Sequence, residues 1–134
     1  MVIDDDAPTN YLSTMVFGEV DCAKELVVFE SGESALHYMR QTIKKPRENG
    51  CLPDMIFLDI NMPRMNGWEF LEAFQQFDPP LPETVIIMLT TSLNPDDELR
   101  AHGLACVAGF ENKPITAEMV QRLIQTHFSK RPIQ

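Results

Sequence analysis

The chain has 134 residues, a usual length for one domain with its own hydrophobic core. Its formal net charge is −9, which argues against nucleic acid and anionic membranes as partners, because both bind mainly through Lys and Arg. Cysteines stand only at Cys22, Cys51 and Cys106, with no CxxC pair. They favour neither a disulfide framework nor a zinc site, and they fit a cytoplasmic protein. We expect no membrane span and no signal peptide, because neither pattern is present.

Five short apolar segments are predicted to be strands. They are MVI (1–3), ELVVFE (25–30), DMIFLD (54–59), TVIIMLT (84–90) and CVAGF (106–110). The third and fourth segments are apolar at almost every position, which is typical of parallel strands that are buried on both faces.

Segments with helical spacing of apolar residues separate these strands. The pattern predicts helices around 8–17 and over 31–43, 66–77, 94–103 and 116–128. Asn94 is the predicted N-cap of the fourth helix, with Pro95 in its first turn and Gly103 as its C-cap. Thr116 is the predicted N-cap of the fifth. Residues 44–53 are predicted to be an exposed loop, and the polar segment after Phe128 a fraying tail.

The fivefold β–α alternation predicts a parallel sheet with right-handed crossovers and helices on both faces. In such folds, ligands bind beyond the carboxyl ends of the strands. Polar residues gather at these ends: Asp4, Asp5 and Asp6 after the first strand, Asp59 at the end of the third, Thr90 at the end of the fourth and Lys113 after the fifth.

Each of these residues alone has a simpler explanation, such as helix capping for an aspartate or a surface position for a lysine. Together, at the ends of four strands, they indicate phosphoryl transfer. Clustered carboxylates without His or Cys suit a hard cation such as Mg²⁺. A carboxylate beside Mg²⁺ can attack phosphorus to form an aspartyl phosphate, while a lysine neutralises charge on the transferred group.

Four motifs in order carry a family resemblance: VIDDDAP (2–8), FLDINMPRMNGWEF (57–70), IIMLTTS (86–92) and GFENKP (109–114). With these motifs, the sequence resembles the receiver domain of two-component response regulators over essentially its whole length. The wording of the motifs most resembles that of stand-alone, single-domain receivers. The resemblance implies a flavodoxin-like (βα)5 three-layer α/β sandwich with strand order 2-1-3-4-5. It also implies a receiver domain over 1–130, a polar tail at 131–134 and no output domain.

The resemblance assigns Asp59 as the phospho-acceptor. Asp4 and Asp5 match the acidic pair that holds Mg²⁺ together with Asp59 and the main-chain carbonyl of Asn61; Mn²⁺ or Ca²⁺ would substitute. Asp6 falls one position past the pair, and we expect it to be a solvated turn residue or a helix cap.

The resemblance further assigns Lys113 as the phosphate-pairing lysine. Thr90 and Phe110 match the two switch positions, and the Lys113–Pro114 peptide bond is expected to be cis. Thr91 stands where the family often has a smaller residue, so we expect access to the phosphate to be somewhat reduced.

The implied partners are a sensor histidine kinase or a histidine phosphotransfer protein, and a downstream protein on the face of the fourth helix, fifth strand and fifth helix. The chain would be a monomer or a weak phosphorylation-dependent dimer. It would not be an enzyme beyond catalysing its own phosphorylation and dephosphorylation.

Two alternatives remain open in the sequence. A pseudo-receiver would bind a partner without accepting phosphate, although such proteins usually lack one of the site residues present here. A haloacid-dehalogenase-type phosphatase also uses a strand-end aspartate with Mg²⁺. It needs a second aspartate two positions after the nucleophile, and here that position is Asn61.

Overall fold

The computed structural model describes residues 1–20, 26–43, 53–77, 84–91 and 94–128. Within these ranges, strands and helices alternate along the chain, as the sequence predicts. Their order is β1 (Val2–Ile3), α1 (Ala7–Val20), β2 (Val28–Phe29), α2 (Gly32–Ile43), β3 (Met55–Asp59), α3 (Gly67–Phe74), β4 (Val85–Thr90), α4 (Pro95–His102), β5 (Val107–Asn112) and α5 (Ala117–Phe128).

The strands form one parallel sheet in the order β2-β1-β3-β4-β5. The predicted flavodoxin-like α/β architecture is therefore confirmed. The order reverses between β1 and β3, and this edge of the sheet is where such folds bind ligands.

Alternate residues of the central strands belong to two different hydrophobic clusters, because successive side chains of a strand point to opposite faces. Ile56 and Leu58 of β3 lie in the cluster that α2 and α3 cover. Phe57 lies in the cluster that α1 and α5 cover. Both β3 and β4 are buried over almost their whole length, as predicted. Their last residues therefore have little freedom to move.

β2 is shorter than the predicted segment 25–30, of which residue 25 lies outside the described residues. Val2 donates to the main-chain oxygen of Val27 at 2.9 Å, and Asp4 donates to that of Phe29 at 3.0 Å. β2 pairs with β1 over two residue pairs, because β1 is itself only two residues long.

α1 extends beyond the predicted segment 8–17 at both ends. Its residues carry one charge, on Glu19, and apolar side chains occur on several sides of the helix. A helix that is apolar on several sides has no clear period with which to locate its ends. Three of its large apolar side chains, those of Tyr11, Leu12 and Met15, are exposed.

β5 begins one residue later than predicted and continues to Asn112. The added residues Glu111 and Asn112 are polar, so hydropathy did not mark them. They remain in the strand because they pair with Leu89 and Thr90 of β4. This extension brings the chain to Lys113 beside the end of β4.

The predicted N-caps are confirmed. The Asn94 side chain accepts from the Asp96 amide at 3.0 Å, with Pro95 as the first residue of α4. Thr116 Oγ1 accepts from the Met119 amide at 3.1 Å. Gly103 ends α4 as predicted, with a right-handed φ of −79°.

α4 has a shallow contact with the rest of the molecule, since Ala101 is its buried residue among side chains that are otherwise exposed or half-buried. The guanidinium of Arg100 lies over the Trp68 ring of α3, 4.4 Å from the ring centroid. Besides the burial of Ala101, this cation–π contact holds α4 against α3.

Residues 44–52 of the predicted loop and the tail at 129–134 lie outside the described residues. Among the helices that the structure describes, none has both the length and the apolar character needed to cross a bilayer.

Candidate functional site

Three carboxylates meet at the carboxyl edge of the sheet, as the strand-end pattern predicts. Asp4, Asp5 and Asp59 each place a side-chain oxygen within 4.8 Å of the other two. Asp4 and Asp59 are buried, whereas Asp5 is exposed. The cluster is therefore buried at its base and open on one side.

Lys113 joins two of these carboxylates. Its ammonium lies 2.6 Å from Asp4 Oδ2 and 3.0 Å from Asp59 Oδ1, and its side chain is 13% exposed. The Lys113 amide donates to the main-chain oxygen of Thr90 at 2.8 Å. The end of β4 thus holds the lysine backbone, and the lysine side chain reaches back across the site to β1 and β3.

Burial raises the pKa of Asp59 to about 6, and the nearby charge of Asp4 adds to this effect. The hydrogen bond from Lys113 opposes the rise without cancelling it. Burial acts to lower the pKa of Lys113, but hydrogen bonds to Asp4 and Asp59 outweigh burial, so the pKa of Lys113 is raised. Lys113 therefore stays protonated in the site.

Asp6 does not join the carboxylate cluster. Its amide donates to Asp4 Oδ1 at 2.9 Å. Its own Oδ2 accepts from the Thr9 amide at 3.0 Å and from the Thr9 hydroxyl, and these hydrogen bonds lower the pKa of Asp6. Asp6 is the N-terminal cap of α1, so the helix-capping role expected for it is confirmed.

The turn after β3 is fixed by Gly67 at the start of α3. A Cβ atom on Gly67 would lie 2.7 Å from the main-chain oxygen of Asp59 and 2.9 Å from Ile60 Cα. Asn66 caps the helix in a capping box with Glu69. The glycine of the NMPRMNG motif is thus required because α3 begins against the strand that carries Asp59.

Asn61 lies in this turn and is exposed. Its amide points toward Asp59 Oδ1 at 3.4 Å, a long hydrogen bond. Further along the turn, Arg64 has a φ of 67°, which costs roughly 1–2 kcal/mol for a residue with a Cβ atom.

Thr90 is fully buried at the end of β4, while Thr91 is exposed. Phe110 is half-buried, pairs in register with Met88 and packs against the α2–α3 side of the core. The Lys113–Pro114 peptide bond is cis, the isomer that the family resemblance implies.

Sequence reasoning missed Asn10. Its side chain is buried, and its Nδ2 donates to the main-chain oxygen of Asp4 at 2.7 Å. One signal was present in the sequence: Asn10 and Ser13 are polar residues three positions apart in the segment predicted to be the first helix, and the structure buries both. The spacing by itself cannot say that Asn10 reaches the strand end.

The donor set suits a hard divalent cation. Three carboxylates face one ammonium, so the cluster carries an excess of negative charge when its groups are ionised. All the candidate ligands are oxygens, which Mg²⁺ prefers. The residues present therefore fit a Mg²⁺ ion bound among Asp4, Asp5 and Asp59.

A doubly wound sheet with an acidic cluster and a lysine at its carboxyl edge is what a receiver domain would present. The sequence model of the response regulator receiver domain matches residues 1–125. The chain belongs to this family, which favours a signalling module over the phosphatase alternative.

Individual relatives agree with the family match. The response regulator Rcp1 of Synechocystis is 29% identical over 104 residues, which are 78% of this chain and 69% of the relative. A probable methanogenesis regulatory protein, FilR2 of Methanothrix harundinacea, is 26% identical over 127 residues, covering 93% of this chain and 77% of the relative.

Solved structures show the same fold. A two-component response regulator from Cytophaga hutchinsonii superposes with a TM-score of 0.87 at 29% identity, over 96% of this chain and 95% of the other. The Mn²⁺-bound form of Rcp1 superposes with a TM-score of 0.71 at 23% identity, over 99% of this chain and 96% of the other. At that identity, the second comparison shows the fold alone.

Proposed function

We propose that this chain accepts a phosphoryl group on Asp59 in a Mg²⁺-dependent reaction and signals through a conformational change. The donor would be the phosphohistidine of a sensor histidine kinase or a histidine phosphotransfer protein. The observation that carries the proposal is the contact of Lys113 with both Asp59 and Asp4, beside the carboxylate of Asp5. A lysine, a nucleophile and a cation site are thereby within reach of one phosphoryl group.

The cation would be held by the carboxylates of Asp4, Asp5 and Asp59 and by the main-chain carbonyl of Asn61. When bound, Mg²⁺ supplies positive charge that stabilises the phosphoryl oxygens during transfer. We expect Mn²⁺ or Ca²⁺ to substitute, and the existence of a Mn²⁺-bound form of the related Rcp1 supports this expectation for Mn²⁺.

Asp59 would attack as the ionised carboxylate. Both the Lys113 ammonium and the Asn61 amide contact its Oδ1, so attack from Oδ2 would preserve these contacts. A bond forms between Oδ2 and phosphorus while the phosphorus–nitrogen bond to the donor imidazole breaks, and the imidazole leaves with the electron pair. Lys113 would then turn from Asp59 to an oxygen of the transferred group.

The signal would pass through Thr90 and Phe110. We propose that the Thr90 hydroxyl turns toward the new phosphate and that the half-buried Phe110 ring moves inward. Phe110 lies in β5, next to α4 and α5, so its movement would alter the surface of α4, β5 and α5 that a downstream protein contacts. Phosphorylation would shift an existing equilibrium toward this state.

The donor protein would contact α1 beside the site. Tyr11, Leu12 and Met15 are exposed there, and α1 begins directly after the Asp5–Asp6 turn. We expect Leu12→Asp to slow transfer from the donor protein while leaving uptake from acetyl phosphate unchanged. An equal loss with both donors would show that the substitution damages the site instead of the docking surface.

The main test is labelling with acetyl phosphate or beryllofluoride in the presence of Mg²⁺. Wild-type chain should be modified once, and Asp59→Asn should not be modified. Exposed Asp96→Asn is the matched control and should be labelled as wild type. Persistent stoichiometric labelling of Asp59→Asn would contradict the assignment of Asp59. Wild-type chain that neither binds Mg²⁺ nor takes up label would favour the pseudo-receiver alternative.

We propose that the receiver domain spans 1–130 and acts in the cytoplasm, as a monomer or a weak phosphorylation-dependent dimer. Light scattering with and without beryllofluoride measures the association directly.

A further inference from the structure

Asn10 links the second turn of α1 to the end of β1. Its amide donates to the main-chain oxygen of Asp6 at 3.0 Å, as in any helix. Its side chain makes a second, longer-range contact, with Nδ2 donating to the main-chain oxygen of Asp4 at 2.7 Å. Because a carbonyl oxygen accepts this bond, the nitrogen of the carboxamide must face Asp4.

The other end of the Asn10 side chain is unsatisfied. Oδ1 is buried and has no hydrogen-bond partner among the described residues. A buried acceptor without a partner destabilises the fold, since it loses its bond to water and gains nothing in return. Stability alone therefore does not favour Asn at this position over an apolar side chain of the same size.

The contact to Asp4 acts on the peptide group between Asp4 and Asp5. The oxygen that Asn10 holds belongs to the same planar unit as the Asp5 amide, so its orientation sets the direction in which the Asp5 side chain leaves the backbone. Asp5 is the exposed member of the carboxylate cluster. β1 ends at Ile3, so sheet hydrogen bonds of the strand itself do not extend over this peptide group.

We propose that Asn10 is a positioning residue for the cation site: through the Asp4 main-chain oxygen, it holds the Asp4–Asp5 peptide so that both carboxylates face Asp59. This inference rests on the proposed function, because it concerns the same Mg²⁺ site. Asn10 itself lies behind the turn and would not touch the ion. Groups that orient metal ligands in this way commonly change metal affinity by about 10–100-fold.

The test compares Asn10→Leu with Ser13→Ala. Leucine has the same number of side-chain heavy atoms as asparagine, branched at the same carbon, but cannot donate to Asp4. Ser13 is also buried on α1, three residues further along, so its replacement controls for general loosening of the helix. Mg²⁺ affinity is measured by titration calorimetry, and the melting temperature is measured separately in EDTA.

A third measurement needs no metal. Amide hydrogen exchange at Asp5 and Asp6 in EDTA reports how firmly the turn is held. It therefore separates a failure of this inference from a failure of the proposed function.

We expect Asn10→Leu to weaken Mg²⁺ binding by about tenfold or more and to speed exchange at Asp5 and Asp6. Its melting temperature should stay within ~4 °C of wild type, because the lost hydrogen bond and the removed orphan acceptor offset each other. Ser13→Ala should change neither affinity nor exchange.

Wild-type Mg²⁺ affinity in Asn10→Leu would overturn the inference, as would equal losses of affinity in both variants. If wild-type chain bound no Mg²⁺, the proposed function would fail. In that case, faster exchange in Asn10→Leu but not in Ser13→Ala would still show that Asn10 holds the turn. Unchanged exchange in Asn10→Leu would overturn the inference.

Discussion

The ammonium of Lys113 lies 2.6 Å from Asp4 Oδ2, and the two residues are 109 positions apart in the chain. The contact crosses the switch point of the sheet and joins β1 to the end of β5. Lys113 thus supplies positive charge to the same carboxylate cluster that a bound cation would neutralise.

Removing this charge should favour the cation. We predict that Lys113→Met binds Mg²⁺ about tenfold more tightly than wild type, because a like charge a few ångströms from the ion is lost. The same variant should take up phosphoryl groups from acetyl phosphate more slowly. Calorimetry and a labelling time course measure the two effects.

Arg40→Met is the control, because Arg40 is exposed and its replacement changes the net charge by the same amount. Its Mg²⁺ affinity and its rate of phosphoryl uptake should equal those of wild type. Weaker Mg²⁺ binding in Lys113→Met would mean that Lys113 mainly holds the carboxylates in place.

Gly67→Ala should destabilise the fold. The added Cβ would meet the main-chain oxygen of Asp59 at 2.7 Å, and backbone at both sides of the contact has little room to shift. We predict a loss of about 1–3 kcal/mol in the free energy of unfolding, measured by urea denaturation. Gly18→Ala is the matched control, because a Cβ there has nothing within 4 Å. It should stabilise α1 by about 0.5–1 kcal/mol. Similar effects of the two substitutions would contradict the steric argument.

The raised pKa of Asp59 gives a pH prediction for the metal-free chain. Its pKa is about 6 in the folded state against 3.8 without the fold. Between these values the folded state binds more protons than the unfolded state, so the Asp59 contribution to stability falls as pH rises.

Asp59→Asn removes this titration. Its stability relative to wild type should therefore increase by about 1 kcal/mol between about pH 5 and about pH 7.5 in EDTA. Urea denaturation of both proteins at the two pH values measures the difference. A difference that is constant with pH would show that Asp59 has no raised pKa.

The run of three aspartates gives a prediction about register. Asp5 belongs to the carboxylate cluster, whereas Asp6 caps α1 through Thr9. Asp5→Asn should abolish measurable Mg²⁺ binding, and Asp6→Asn should leave it nearly intact. Asp6→Ala should lower the free energy of unfolding by about 1 kcal/mol through loss of the cap. Equal losses of Mg²⁺ affinity at Asp5 and Asp6 would show that the assumed register is wrong.

The strand ends were predictable because hydropathy marks β3 and β4 clearly. A parallel sheet then brings residues such as Asp59 and Thr90 to one edge whatever the details of the loops. The role of Asp6 was also accessible, since an acidic residue directly before a helix is a common cap.

Other features depend on tertiary contacts that no local pattern records. β5 includes the polar Glu111 and Asn112 because β4 offers them partners. α1 was predicted to be shorter than it is, because apolar residues on several sides of the helix leave no clear period to locate its ends. Asn10 became visible as part of the site only when its distance to the Asp4 carbonyl was known.

Trp68 is the single tryptophan of the chain, and the Arg100 guanidinium lies 4.4 Å from its ring centroid. Its emission therefore comes from one place, the boundary between α3 and α4, without contribution from any second indole. A guanidinium above the ring alters the electrostatic field that the excited indole senses, so separation of α4 from α3 changes the emission spectrum. The unmodified protein thus contains its own optical probe of α4, readable in solution without a dye or an engineered label.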